Sequence, residues 1–131
     1  MLNQKRQLSG ERGQTMVEFA LVLPLLCVLL FGVIQFGIVF NNYVTLTDAA
    51  RAGARKAAVS RGSSNPAGLC VQQVRDASPN LNQTNLSVSC SSSWAAGTDV
   101  TVSASYPYSI SLLGWVVKSG SLNTTMKERV E

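Results

Sequence analysis

Glu18 stands at the mouth of a long apolar run, five positions after Gly13. From Phe19 to Phe40 no residue carries a formal charge. As a helix this stretch is about 33 Å long at 1.5 Å per residue, against roughly 30 Å of bilayer hydrocarbon. A carboxylate beside such a span is costly. The scale is about 2.5–3.5 kcal/mol for Asp at a membrane-helix centre and less near the interface. A charge kept there usually has a partner or a role. The second chemistry lies in the cysteines. Cys27 falls inside the apolar run and reads as a small hydrophobe. Cys70 and Cys90 lie beyond it, and a bridge between them would stabilise a small domain by about 3 kcal/mol in an oxidising compartment. The alternative is two unpaired thiols.

Other chemistries have little to stand on. Histidine is absent, which removes the commonest general base and metal ligand. There is no glycine-rich phosphate loop and no closely spaced cysteine pair for zinc, so neither a cofactor nor a metal is expected. A serine working with Lys118 or Lys127 is the one catalytic arrangement the composition permits, and no spacing supports it; an enzyme is not expected. The net charge is +4. Its basic residues divide between a leader (Lys5, Arg6, Arg12) and a cluster after the span (Arg51, Arg55, Lys56, Arg61). They do not interleave with aromatics, so nucleic acid is not an expected partner.

The elements that must hold these residues follow from periodicity. Residues 1–13 form a polar leader, 14–40 a membrane helix, 41–60 its extension into water, and 61–131 a small α+β domain. Pro24 removes one backbone hydrogen bond from the carbonyl of Ala20 and marks a kink that membrane helices tolerate. Past the span, Leu46, Ala50, Gly53 and Ala57 recur three or four apart. That is either a stripe for close packing or an ordinary alanine-rich surface. One helix is expected over 15–60. Pro66 suits the first turn of a second helix, with Leu69, Cys70, Val74 and Ala77 in period and Ser78-Pro79 as its stop. Alternation then gives strands over 86–90, 100–105 and 122–126. The apolar segment Ile110–Val117 is a packed loop, a short helix or an extra strand. The fold class is α+β: a long N-terminal helix, half in membrane and half in water, with a small antiparallel sheet domain at its C-terminal end.

The segment Arg12-Gly13-Gln14-Thr15-Met16-Val17-Glu18-Phe19-Ala20-Leu21, with Pro24, and the later Leu46-Thr47-Asp48-Ala49-Ala50-Arg51-Ala52-Gly53-Ala54-Arg55 resemble TadE-like pseudopilins. These belong to the tight-adherence (Flp, type IVc) pilus system. The resemblance is strong over roughly residues 10–60. It is weaker beyond, where it rests on Val100-Thr101-Val102 leading to Tyr106-Pro107-Tyr108. It implies a minor pilin-like component needed to assemble an adhesive surface fibre. It implies cleavage between Gly13 and Gln14 by a prepilin peptidase, and a role for Glu18 in subunit registration. The implied partners are that peptidase, other pilins and pseudopilins, an inner-membrane assembly platform and membrane lipid. The implied location is the bacterial inner membrane, single pass, with the C-terminal domain outside the cytoplasm, or the surface pilus itself. Basic residues fall on both sides of the span, so charge alone does not set the orientation.

Two further readings compete. A secretory signal would be cut at Ala50-Arg51-Ala52, but the apolar run is too long and that site too far past its end. A single-pass anchored binding module would escape the peptidase and use Trp94, Tyr106, Tyr108 and Trp115 as a recognition patch. Such aromatics more often fill a small core. The mature N-terminus separates the cases: Gln14 for the pseudopilin, Gly53 for the secretory cut and Met1 for an uncut anchor.

Overall fold

The chain is built on one long helix, and its small-residue stripe is the packing face. The computed structural model describes residues 4–131, with side chains from Gly13 onward. The charged leader residues Lys5, Arg6 and Arg12 lie outside the described side chains. Helix α1 runs Gln4–Ala58, α2 runs Pro66–Asp76, and three strands follow: β1 Ser87–Ser91, β2 Asp99–Leu112 and β3 Trp115–Arg129. The sheet is antiparallel in the order β1-β2-β3. The α+β class with a long N-terminal helix is therefore as the sequence suggests. The helix starts earlier than the expected residue 15 and ends two residues short of 60.

Leu46, Ala49, Ala50, Ala54 and Ala57 are buried against Val100, Val102, Ala104 and Val130 of the sheet and against Cys70 and Val74 of α2. The stripe is thus a packing surface, not an exposed alanine face. Each fully buried valine or leucine here contributes roughly 1.5–3 kcal/mol. Gly53 is the tightest point. A Cβ at this position would lie 2.3 Å from Cγ2 of Val74 and 3.3 Å from the carbonyl oxygen of Cys70. Val74 is fully buried, so it has little room to yield. Alanine would gain up to about 1 kcal/mol of helix propensity, yet overpacking typically costs 1–3 kcal/mol. The packing term wins, so Gly53→Leu is expected to lower the thermal midpoint of the full chain in detergent, by about 4–8 °C for each kcal/mol lost. An unchanged midpoint would show that α2 is not pressed against the helix.

Local chemistry ends each element. Ser60 donates its hydroxyl to the carbonyl of Lys56, and the amide of Glu131 donates to the carbonyl of Ala58 at 3.1 Å. The C-terminal tail therefore satisfies an end carbonyl of α1. Asn65 caps α2, accepting from the amide of Gly68 at 2.9 Å, with Pro66 in the first turn. The buried hydroxyl of Ser78 bonds the carbonyl of Val74 at 2.8 Å. Cys70 and Cys90 are joined, and the bond fastens α2 to β1. The disulfide alternative is the one the structure contains.

The strands are longer than alternation alone implies. The expected strand 100–105 extends through Tyr106-Pro107-Tyr108 to Leu112, and the expected 122–126 extends from Trp115 to Arg129. The ambiguous segment Ile110–Val117 is neither a helix nor a packed loop. It is the tip of the β2–β3 hairpin. Leu112 pairs with Trp115 across Leu113 and Gly114, whose φ values are 51° and 87°. Two positive φ values in a two-residue loop match the twist of a β-hairpin. Leu113 is an unusual residue for that conformation, which is why the turn escapes a search for Asn-Gly or Asp-Gly. Pro107 has a second consequence. Lacking an N–H, it suits a strand edge, and β1 pairing stops at Ser87 with Ser105, two residues before it. Beyond that point the sheet narrows to a two-stranded arm.

Candidate functional site

Gly13, Gln14 and Glu18 lie on consecutive turns of α1, at the foot of the apolar span. The side-chain amide of Gln14 donates to Oε1 of Glu18 at 3.2 Å. This is an i,i+4 pair on one helix face. Glu18 is exposed, and so are Met16, Val17 and Phe19 around it. Every described residue from Gly13 to Phe31 is exposed, so no part of the head covers this carboxylate. At 1.5 Å per residue, Glu18 is about 40 Å from Leu46, where the core begins. The foot and the head are separate in space.

Gly13 has open space around it; an added Cβ would meet nothing within 4 Å. The fold itself gives no reason for glycine at this position. A requirement for glycine here must come from something that binds the segment. The helix continues without interruption through Pro24. Among the described residues one helix is long and apolar enough to cross a membrane, judged by length and composition, and its most apolar window has no buried residue. That window is therefore no part of the head's core, which takes only the later turns of the same helix. Cys27 is a free, exposed thiol within this stretch.

The post-span cations are on the solvent side of α1. Arg51, Arg55 and Lys56 are exposed, opposite the buried stripe. Arg51 approaches Asp48 at 3.7 Å, and both side chains are more than half exposed, so this pair adds little stability. The four aromatics proposed as one patch are dispersed. Trp94 and Tyr106 pack partly on the core. Tyr108 pairs with Gly120, whose flat backbone it covers. Trp115 is 82% exposed at the hairpin tip. Lys118 and Lys127 are exposed on β3. No group of three or more His, Cys, Asp or Glu converges among the described residues.

Two features were not read from the sequence. The contact of Gly53 with Val74 and Cys70 needed the position of α2, although the Ala-Gly stripe carried the hint. The exposed tip at Trp115 was hidden in an apolar run without a period; Gly114 was its one local signal.

No curated protein and no solved structure matches the chain. Residues 13–55 match the family described as TadE-like protein. That segment begins at Gly13, includes Glu18 and the whole apolar span, and ends at Arg55 on the helix that carries the buried stripe. Over the stretch from Gly13 to Arg55 the chain is similar to TadE-like proteins, which points to a component associated with the Tad pilus.

Proposed function

We propose that this chain is a minor, pilin-like subunit needed to assemble a Tad (type IVc) pilus that serves adhesion. The observation that carries the reading is the bare foot of α1. A glycine with no structural reason to be glycine, and a carboxylate with no cover, flank the start of an exposed apolar helix. Both match the part of the chain that is TadE-like.

In this reading a prepilin peptidase cuts between Gly13 and Gln14 on the cytoplasmic face. The protease needs an extended backbone in its cleft, and α1 is helical there, so the segment must unwind locally. Glycine lowers that cost, being about 1 kcal/mol less favourable than alanine in a helix. It also removes any side-chain clash at the cut. The new N-terminal amine on Gln14 then lies one turn from Glu18. In an assembling fibre the amine of one subunit pairs with Glu18 of its neighbour. Each charge is costly alone in a dry setting, and the pair makes both tolerable. The pairing sets register between subunits.

The span anchors the chain in the inner membrane until assembly. The Cys70–Cys90 bond supports a head outside the cytoplasm, because disulfides persist in oxidising compartments. The partners are the peptidase, other pilins and pseudopilins, the assembly platform and lipid. The role is structural, not catalytic. Deleting the gene is expected to abolish surface fibres counted by electron microscopy, and a plasmid copy of the full chain is expected to restore them. Normal fibre numbers in the deletion strain would overturn the assembly role.

A further inference from the structure

The hairpin tip presents Leu113, Trp115, Val116 and Val117 to solvent, at 80%, 82%, 65% and 63% exposure. Successive residues of a strand point to opposite faces. Trp115, Val116 and Val117 therefore make the arm apolar on both sides. A patch meant for one protein surface would be apolar on one side. A wedge that is apolar all round fits an isotropic apolar medium.

The topology says where this wedge lies. The amide of Glu131 bonds the carbonyl of Ala58, and Val130 pairs with Thr98. The open ends of β2 and β3 are thus fixed at the far end of α1. From there β2 proceeds through Val100, Val102 and Ala104, all buried against the stripe from Ala57 back to Leu46. The arm points back toward the span. From Val100 to Leu112 it measures about 40 Å at 3.3–3.4 Å per residue. The same distance along α1, counted back from Ala58, sets Gly32 as the deepest level the arm can reach, and the open space at Gly32 and Gly37 stops it short of that, near the end of the apolar run. The burial pattern agrees. Residues 13–31 of α1 are exposed all round, whereas Gln35, Val39 and Asn42 are half-buried. Those three recur three or four apart and are in phase with Leu46, Ala49 and Gly53. The half-buried line runs on from the core toward the end of the apolar run.

We propose that the β2–β3 tip is a second membrane-contacting element, inserted into the interfacial layer of the leaflet from which α1 emerges. This rests on the reading of α1 as a membrane span. Tryptophan favours that layer because its ring has an apolar body and a polar N–H. Lys118, next to the apolar tip, can extend its ammonium to the headgroups. The segment from Val100 to Lys127 contains no acidic residue, so nothing in the arm repels anionic lipid. The Leu112–Trp115 pair closes the tip, but the outer edges of the two-stranded arm and the irregularity between Ile110 and Ser111 leave backbone groups unpaired, which holds the tip at the hydrated interface and out of the hydrocarbon. Two attachments, at α1 and at the tip, would hold the head at a fixed tilt on the membrane before assembly.

The test uses the full chain in vesicles of phosphatidylcholine and phosphatidylglycerol in equal parts, with brominated lipids as quenchers. Trp94→Phe leaves Trp115 as the sole tryptophan. A triple variant, Trp94→Phe, Trp115→Phe and Phe31→Trp, moves the probe into the span. The expected result is loss of Trp115 emission to bromines placed near the headgroups, less to those near the chain ends, and independence of the protein-to-lipid ratio. An unquenched Trp115 beside a quenched Phe31→Trp probe would overturn the proposal and leave the span intact. An unquenched Phe31→Trp probe would remove the span, and the proposal with it. Shielding of Trp115 that appears only at high protein-to-lipid ratio would assign the tip to a second copy of the chain and overturn lipid contact.

Discussion

Gly13→Val leaves the chain uncut and the head folded. An added side chain at Gly13 has open space in the structure, and the core begins at Leu46, far along the same helix. Helix propensity changes by only a few tenths of a kcal/mol between glycine and valine. The substitution therefore isolates what the protease needs from what the fold needs. In cells, the variant is expected to accumulate as a single slower band on a denaturing gel, the precursor, with no mature form. Its Cys70–Cys90 bond should still form, which a non-reducing gel reports. A mature band at normal intensity would place the cut elsewhere. Loss of the protein altogether would mean that Gly13 supports the fold after all, against the open space around it.

Glu18→Ala separates processing from assembly. The scissile bond and Gly13 are untouched, so the precursor should be cut at close to the normal rate. The cut chain then carries an N-terminal amine without its carboxylate partner. Leaving one member of a buried charge pair unmatched costs about 3–5 kcal/mol. At 1.4 kcal/mol per factor of ten, incorporation should fall by at least roughly a hundredfold, read as loss of the chain from sheared fibres or loss of fibres altogether. Glu18→Gln keeps the shape and the capacity to accept from Gln14 but removes the charge, and should fail nearly as badly. Normal fibres with Glu18→Ala would remove the amine–carboxylate pairing as the source of register. In the uncut chain Glu18 has the Gln14 amide at 3.2 Å, a weak, exposed contact that an incoming amine can replace.

The parts of this molecule that the sequence makes legible are those with a local period or a strong chemical contrast. The uncharged run from Phe19 to Phe40 contrasts with Glu18 on one side and Asp48 on the other. The recurrence of Leu46, Ala50, Gly53 and Ala57 reflects the 3.6-residue helix, and each is buried. Asn65-Pro66 and Ser78-Pro79 mark both ends of α2 closely, because capping and proline act within one turn. What was not legible depends on partners far along the chain. Ile110–Val117 has no alternation, since Ile110, Ser111 and Leu112 are half-buried in a row and Leu113 to Val117 are all exposed, and burial on one side is what creates a strand period. Its strand state comes from pairing across Leu113-Gly114, a turn whose first residue is unusual for its conformation. The full extents of β2 and β3 follow from each other, Asp99 with Arg129 at one end and Leu112 with Trp115 at the other. The choice between a packing stripe and a plain surface at Gly53 needed Val74 and Cys70 to be brought against it. The foot is the converse case. Gly13 and Glu18 stand out by residue type and spacing, while the structure around them supplies only an open helix surface.

The N-terminal residue of the protein in living cells bears most directly on all of this. Intact-mass and N-terminal peptide measurements on the chain from piliated bacteria, beside a strain lacking the prepilin peptidase, give it outright. The expected species begins at Gln14 in the first strain and retains the leader in the second. A chain that keeps its leader in healthy piliated cells, or one that begins at Gly53, would contradict the pilin-like reading.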